Sequence, residues 1–327
     1  MEVRALHSLR GQRVVGDKFF TRLMSAAVIT LGLLLIALIG SLVSASMPLW
    51  AVQTPLSFLS TSAWITGLEQ SDGSTVEVYG AAAALFGTAV TSLIAVAFAA
   101  PIGIFGAIYL VEYAPKRVAI PLTFLVELIA AIPSVVFGLW AVKDLSLRLR
   151  DSIEWWIAST VGQFIPWLSE EPGSPSADSI FRAGFLLAIM ILPMIVAVSR
   201  EFMRSVPVSL REGYVGMGAT KWESIRDVVL PTARIGLIGA VLLALGRALG
   251  ETIAVTMVIG NAEGIPSSLF LPGNTIASKI ANTIGEATDV QRSAVVALGL
   301  ALFILTFVIS MLVRVLIRRF AVIKAVS

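Results

Sequence analysis

Residues Glu212 to Pro231 read EGYVGMGATKWESIRDVVLP, a polar stretch set between two long apolar runs. Tyr214, Met217, Trp222, Ile225, Val228 and Val229 recur at helix-like spacing among Glu212, Lys221, Glu223, Arg226 and Asp227. Gly218 interrupts the pattern and Pro231 closes it. This predicts a short helix, a turn near Gly218 and a second helix stopping at Pro231. Such a segment makes a compact knob in water, although composition alone equally fits an amphipathic helix resting on a membrane.

The rest of the chain decides what surrounds that knob. Of 327 residues 57% are apolar and 14% charged, with a mean hydropathy of +0.90, which marks an all-α integral membrane protein instead of two soluble domains. There is no cysteine, so disulfides, thiolate chemistry and thiol-bound metals are excluded. The single histidine, His7, lies in a basic N-terminal arm and reads as a solvated tail residue, so neither a His-based triad nor a His-ligated metal site can be assembled. The net charge of +3 does not argue for nucleic acid. No phosphate loop of the GxxxxGK[ST] type occurs. No catalytic, metal or cofactor residue is therefore expected in this chain.

Charge placement sets a topology. Residues 1–22 carry Arg4, Arg10, Arg13, Lys18 and Arg22, and residues 23–327 form the membrane domain. Six spans are predicted, at residues 23–45, 80–111, 118–142, 180–203, 235–259 and 293–313. Val43-Ser44-Ala45 resembles a cleavage site, but the apolar run before it exceeds the core of a signal peptide. Residues 47–79, 143–179 and 260–292 are sparsely basic and read as external loops, whereas residues 204–234 hold Arg204, Arg211, Lys221, Arg226 and Arg234. Both termini are then cytoplasmic. Residues 143–179 read as an interfacial helix followed by the loop EEPGSPSAD, with Trp140, Trp155, Trp156 and Trp167 as interface anchors.

Three ionisable residues fall inside spans: Glu127, Arg247 and Glu251. Each costs at least ~2.5 kcal/mol at mid-bilayer unless paired or solvated, so each must face protein or water. Arg247 and Glu251 are four apart, on one face of a predicted helix, with Arg247 roughly 18 Å into its span. One reading is a structural ion pair, closing on Glu251 or on Glu127. The other is a substrate path, because an always-protonated planar fork suits phosphate, sulfate or carboxylate, with Glu251 and Glu127 moderating its hold. Pro133 and Pro193 either open backbone groups toward that path or are packing kinks.

The spacing Glu212, Gly218, Val228, Leu230-Pro231 resembles the EAA loop of ABC importer permeases, with Gly213-Tyr214 in place of two alanines and Val228 in place of isoleucine. The runs AAPIGIFGAIYLVEYAP (Ala99 to Pro115), ELIAAIPSVVFGLW (Glu127 to Trp140) and RALGETIAVTMVIG (Arg247 to Gly260) are similar to the phosphate importer permeases. The resemblance implies the type I, MetI-like permease fold. It implies a homologous second permease subunit, an ATPase homodimer holding ATP and Mg, and an extracytoplasmic phosphate-binding protein. It casts residues 204–234 as the coupling loop, with Glu212, Gly213, Tyr214, Gly218, Ala219, Trp222, Leu230 and Pro231 meeting the ATPase, and Arg247, Glu251 and Glu127 along the path of inorganic phosphate. A permease for molybdate, sulfate or phosphonate stays open, as does a self-contained secondary transporter using Glu127 and Glu251 for protons or cations.

Overall fold

The computed structural model describes residues 2–69, 75–169 and 178–323, with side chains placed at 19–67, 77–169 and 178–315. The readings of His7 and of EEPGSPSAD before Asp178 fall outside the described side chains. In lipid, backbone groups are satisfied only within helices or closed barrels, and long apolar runs without a two-residue alternation take the helical solution. The order is α1 (Glu2–Val52), α2 (Pro55–Ser60), a hairpin of β1 (Ile65–Glu69) and β2 (Thr75–Val78), α3 (Ala82–Ile108), α4 (Lys116–Ala130), α5 (Ser134–Trp140), α6 (Ser146–Leu149) and α7 (Trp155–Thr160). There follow α8 (Ile180–Arg204), α9 (Val208–Gly216), α10 (Lys221–Ser224), α11 (Leu230–Gly250), α12 (Ile253–Val258), α13 (Ile276–Thr283) and α14 (Asp289–Ile323). The two strands pair antiparallel, Ile65 opposite Val78.

Among the described residues five helices are long and apolar enough to cross a membrane: Phe19–Val52, Ala82–Tyr113, Ile180–Arg204, Lys221–Gly250 and Asp289–Val315. Two further helical pieces, Lys116–Ala130 and Ser134–Thr160, are long and apolar enough only when taken together, and they bend by 90° at their break, the form of a broken span or of a re-entrant loop.

The centre is the pair α3 and α8, pressed together through small residues. A Cβ on Gly103 would lie 2.7 Å from the Ile195 side chain, and one on Gly184 would lie 2.8 Å from Ile94. Close approach of this kind replaces the hydrophobic drive that lipid removes. The main core joins α3, α8, the turns at 141–149, and the facing parts of α11 and α12, with Leu186, Ile191, Ile195, Ala244 and Val258 buried. A second core lies at one end of the bundle and gathers Ala107, Ile108, Met203, Val206, Ile225, Val229 and Ala233. This end also carries Lys116, Arg200, Arg204, Arg211 and Lys221 and is called the basic end below. A third core, at the opposite end, packs Leu49, Phe58, Tyr79, Ile276 and Leu298.

The helices depart from the sequence expectations at four places. α1 runs to Val52, so residues 47–52 are helical, not loop. The third span is not one helix over 118–142: it breaks at Ala131–Pro133, because Pro133 has no N–H to donate and holds the preceding residue out of the helical region. The fifth span ends at Gly250, nine residues short of Ile259, where Gly246 and Gly250 weaken the helix and Glu251 is extended (φ −69°, ψ 123°). Pro231 does not stop the second helix of the 212–231 segment. A π-helical turn at Ile225–Val229 widens the backbone just before it, and the helix continues into α11 with Pro231 in its first turn.

Candidate functional site

The two broken spans meet. α5, beyond the break of the third span, lies against α12, beyond the break of the fifth. Gly138 permits the contact, since a Cβ there would sit 2.7 Å from Met257 Sδ and 3.2 Å from Ala254 Cα. Non-helical backbone at membrane depth persists only where protein covers it or where it lines a watery cavity. The breaks therefore mark where such a cavity can be.

The membrane charges stand around these breaks but are not paired as expected. Arg247 occupies the last turn of α11 and is exposed in the single chain. The free carbonyls of a helix C-terminus favour a cation there. Glu251 is the C-cap residue, half-buried, its N–H pointing back to the Ala248 carbonyl at 3.4 Å. The break carries it off the helical repeat, which corrects the expectation that Arg247 and Glu251 share a continuous helix face. Among the described residues Arg247 forms no ion pair with either Glu251 or Glu127. Glu127, on α4 one turn before the Ala131–Pro133 break, has its carboxylate 3.7 Å from Arg200 of α8. Arg200 also donates through Nη1 to Thr123 Oγ1 (2.5 Å) and through Nη2 to Glu201 Oε1 (3.0 Å). Nothing in the sequence singled out Arg200, because its contact with Thr123 joins residues 77 apart and leaves no local pattern.

The 212–231 segment forms a second site at the basic end. α9 ends in a turn at Gly218, whose φ of +98° is costly for any residue with a Cβ. Thr220 then caps α10 in a capping box with Glu223. Ile225 and Val229 are buried, whereas Val215, Met217 and Trp222 are exposed apolar side chains, Met217 at 77%. Glu212, Gly213 and Gly218 are also exposed, and Tyr214, Ala219, Leu230 and Pro231 half-buried. The Tyr214 hydroxyl donates to Asp227 Oδ2 at 3.3 Å, and the negative charge of Asp227 is the main cause of a phenol pKa above its ordinary 10.0.

Two contacts tie this segment to the end of α3. Arg211 Nη1 lies 2.8 Å from Glu112 Oε1 while Arg211 also donates to the Met203 carbonyl. The Lys221 ammonium stands 4.9 Å over the Tyr113 ring. A cavity of about 450 Å³ lies between them, lined by Glu112, Arg211, Glu212, Val215, Gly216, Lys221 and Ser224. Glu112 as a partner of the segment was not legible in the sequence, again because the pairing is non-local.

At the opposite end the Arg182 fork grips Glu154, Nε to Oε1 at 2.9 Å and Nη2 to Oε2 at 2.5 Å, both side chains buried. Ser179, the N-cap of α8, donates to the same carboxylate at 3.3 Å. This fastens the π-helical turn Arg150–Glu154 to the start of α8.

Five long apolar helices, a bent pair packed against the interrupted end of one of them, and a structured polar segment at one end define a multi-pass helical membrane protein. Residues 99–322 match the family described as "Binding-protein-dependent transport system inner membrane component", and the chain belongs to it. It is 40% identical over 307 residues to the "Phosphate transport system permease protein PstC" of Mesorhizobium japonicum, covering 93% of this chain and 90% of that one. It is 42% identical over 243 residues to the protein of the same name from Haemophilus influenzae, covering 74% of this chain and 77% of that one. Among solved structures it resembles one titled an inward-facing conformation of the MetNI methionine ABC transporter, with a TM-score of 0.51, 17% identity, and coverage of 72% of this chain and 94% of that one. At that identity the likeness concerns the fold.

Proposed function

We propose that the chain is a permease subunit of an ATP-driven phosphate importer of the bacterial inner membrane. The observation that carries this is the 40% identity, across nearly the whole chain, to a relative named as a phosphate transport permease. It is supported by an arginine at the break of the fifth span, a place where an anion can reach a guanidinium without crossing lipid. The chain itself is no enzyme in this reading. ATP is hydrolysed by an ATPase homodimer, a second homologous permease completes the path, and an extracytoplasmic phosphate-binding protein delivers the anion at the opposite end.

The basic end is cytoplasmic by the positive-inside rule, with both termini on that side. Met217, Val215 and Trp222 then present apolar surface to the ATPase beside Glu212, and Gly218 supplies the turn between the two docking helices. The shared core of Met203, Ile225 and Val229 carries their displacement to α3, α8 and α11. In the membrane Arg247 meets phosphate through its planar fork, and Glu251 keeps that attraction from becoming a trap. The test is ATP-dependent phosphate uptake by the assembled complex carrying Arg247→Ala or Arg247→Lys. Uptake falls at least tenfold in the alanine variant, by the ~1.5–3 kcal/mol carried by a hydrogen bond to a charged group. Unchanged uptake in both variants overturns the role of Arg247, and absence of phosphate uptake in the unaltered complex, with another oxyanion carried, overturns phosphate as the substrate.

A further inference from the structure

Arg200 has no role in the reading above, yet its surroundings are unusual. Its side chain is 12% exposed, one turn inside the basic end of α8. Of the guanidinium's donors, Nη1 is used by Thr123 and Nη2 by Glu201, while Nε is buried with no acceptor among the described residues. The Glu127 carboxylate stands 3.7 Å off, beyond hydrogen-bond reach. Both carboxylates near it are left uncovered by this chain, Glu127 at 58% and Glu201 at 63% exposure. The Glu127 carboxylate, with no hydrogen bond to the fork, is the one a dianion displaces first.

Its height in the bundle follows from one contact. The Phe202 ring lies where a Cβ of Gly236 would be, 2.0 Å away, so α8 at Phe202 is level with α11 at Gly236. From Gly236 the helix rises eleven residues to Arg247, and Arg200 is two residues deeper than Phe202. The two arginines are thus separated by roughly 14 Å along the bundle at 1.5 Å per residue. A single phosphate cannot touch both.

We propose that Arg200 is a second anion-binding station between Arg247 and the basic end, and that Glu127 competes with the anion for it. The proposal rests on the phosphate-permease reading. An anion leaving Arg247 finds a fork whose terminal nitrogens are only partly used by Thr123 and Glu201, displaces a loosely held carboxylate, and is released when Glu127 or Glu201 returns. Glu127 then acts on the dwell time of the anion, not as its ligand.

A clamp that merely joins α4 to α8 would have its two partners act alike; a station with a competitor has them act oppositely. The experiment uses the complete complex in proteoliposomes, with ATP and graded inorganic phosphate inside and binding protein with labelled phosphate outside. Internal phosphate occupies the release-side station and inhibits uptake. Arg200→Gln is expected to raise the half-inhibitory internal concentration about tenfold, the loss of one charged hydrogen bond, Arg200→Lys to raise it less, and Glu127→Gln to lower it. Shifts of the same sign in Arg200→Gln and Glu127→Gln, unchanged sensitivity in both, or an unaltered complex indifferent to internal phosphate overturn the proposal. If Arg200→Gln does not assemble, the opposite shifts of Arg200→Lys and Glu127→Gln decide it. If the unaltered complex imports a different oxyanion, the substrate reading fails alone, and the same series run with that oxyanion inside still tests the station.

Discussion

Glu154→Gln removes a charge from a site with nowhere else to put it. Arg182 and Glu154 are 3% and 5% exposed and share two hydrogen bonds, so the substitution leaves a guanidinium buried against a neutral amide. Breaking such a pair from one side costs about 3–5 kcal/mol. The lower figure applies here, because the Asp178 carboxyl, whose pKa burial pushes up, already feels the opposing pull of Arg182 and can share it. With about 2 °C of Tm per kcal/mol for a chain of this size, the expected loss is about 6 °C. The assay is thermal denaturation of the purified complex in detergent, followed by the monodisperse fraction surviving each temperature. Glu154→Leu combined with Arg182→Met supplies the contrast, since replacing both partners by apolar groups of similar volume is close to neutral. A Tm within 1 °C of the unaltered protein for the single variant, or a double variant that falls as far as the single one, refutes the reasoning.

Three further outcomes follow from the geometry. Gly87→Ala places a Cβ 1.8 Å from the Asn274 carbonyl oxygen, an overpacking worth about 1–3 kcal/mol, and is read as a lower Tm in the same assay with Gly285→Ala, at an open position, as the neutral control. Gly218→Trp strains a φ of +98° in open space, so the chain still folds while ATP hydrolysis by the complex continues with uptake reduced; intact coupling counts against the docking role. Tyr214 ionises above 10.0, so its hydrogen bond to Asp227 contributes fully below that pH and is lost as pH rises through the elevated value. Phenolate absorbance in wild type minus Tyr214→Phe measures this, and Asp227→Asn returns the step toward 10.0.

The fold was largely legible because its signals are local. Apolar runs of bilayer length placed the spans, and the polar interruption at Glu212 to Pro231 placed the structured segment with its turn at Gly218. The break at Pro133 was visible as a proline whose consequence was left open, since only a neighbour such as α12 decides whether the chain kinks or snaps. The end of α11 at Gly250 was missed for the same reason. Glycine costs a helix about 1 kcal/mol, too little to end one until tertiary contacts add to it. The pairings around the candidate site were not legible. Glu127 meets Arg200 and Glu112 meets Arg211 across gaps that no periodicity spans, and Arg247 meets neither glutamate proposed for it.

The contact made possible by Gly138 changes what the two interrupted spans can do. The pieces beyond the breaks, α5 and α12, belong to different helical stretches yet are packed on each other, whereas each joins the helix before its break through only a few residues, Ala131–Pro133 in one case and Glu251–Thr252 in the other. Rotation of φ and ψ at those few positions reorients two leaves about one pin, and it breaks only the few hydrogen bonds that close each break, such as Ala131 N–H to the Glu127 carbonyl and Glu251 N–H to the Ala248 carbonyl. Arg247 and Glu251 sit at that pin, so they stay almost still while the leaves swing around them.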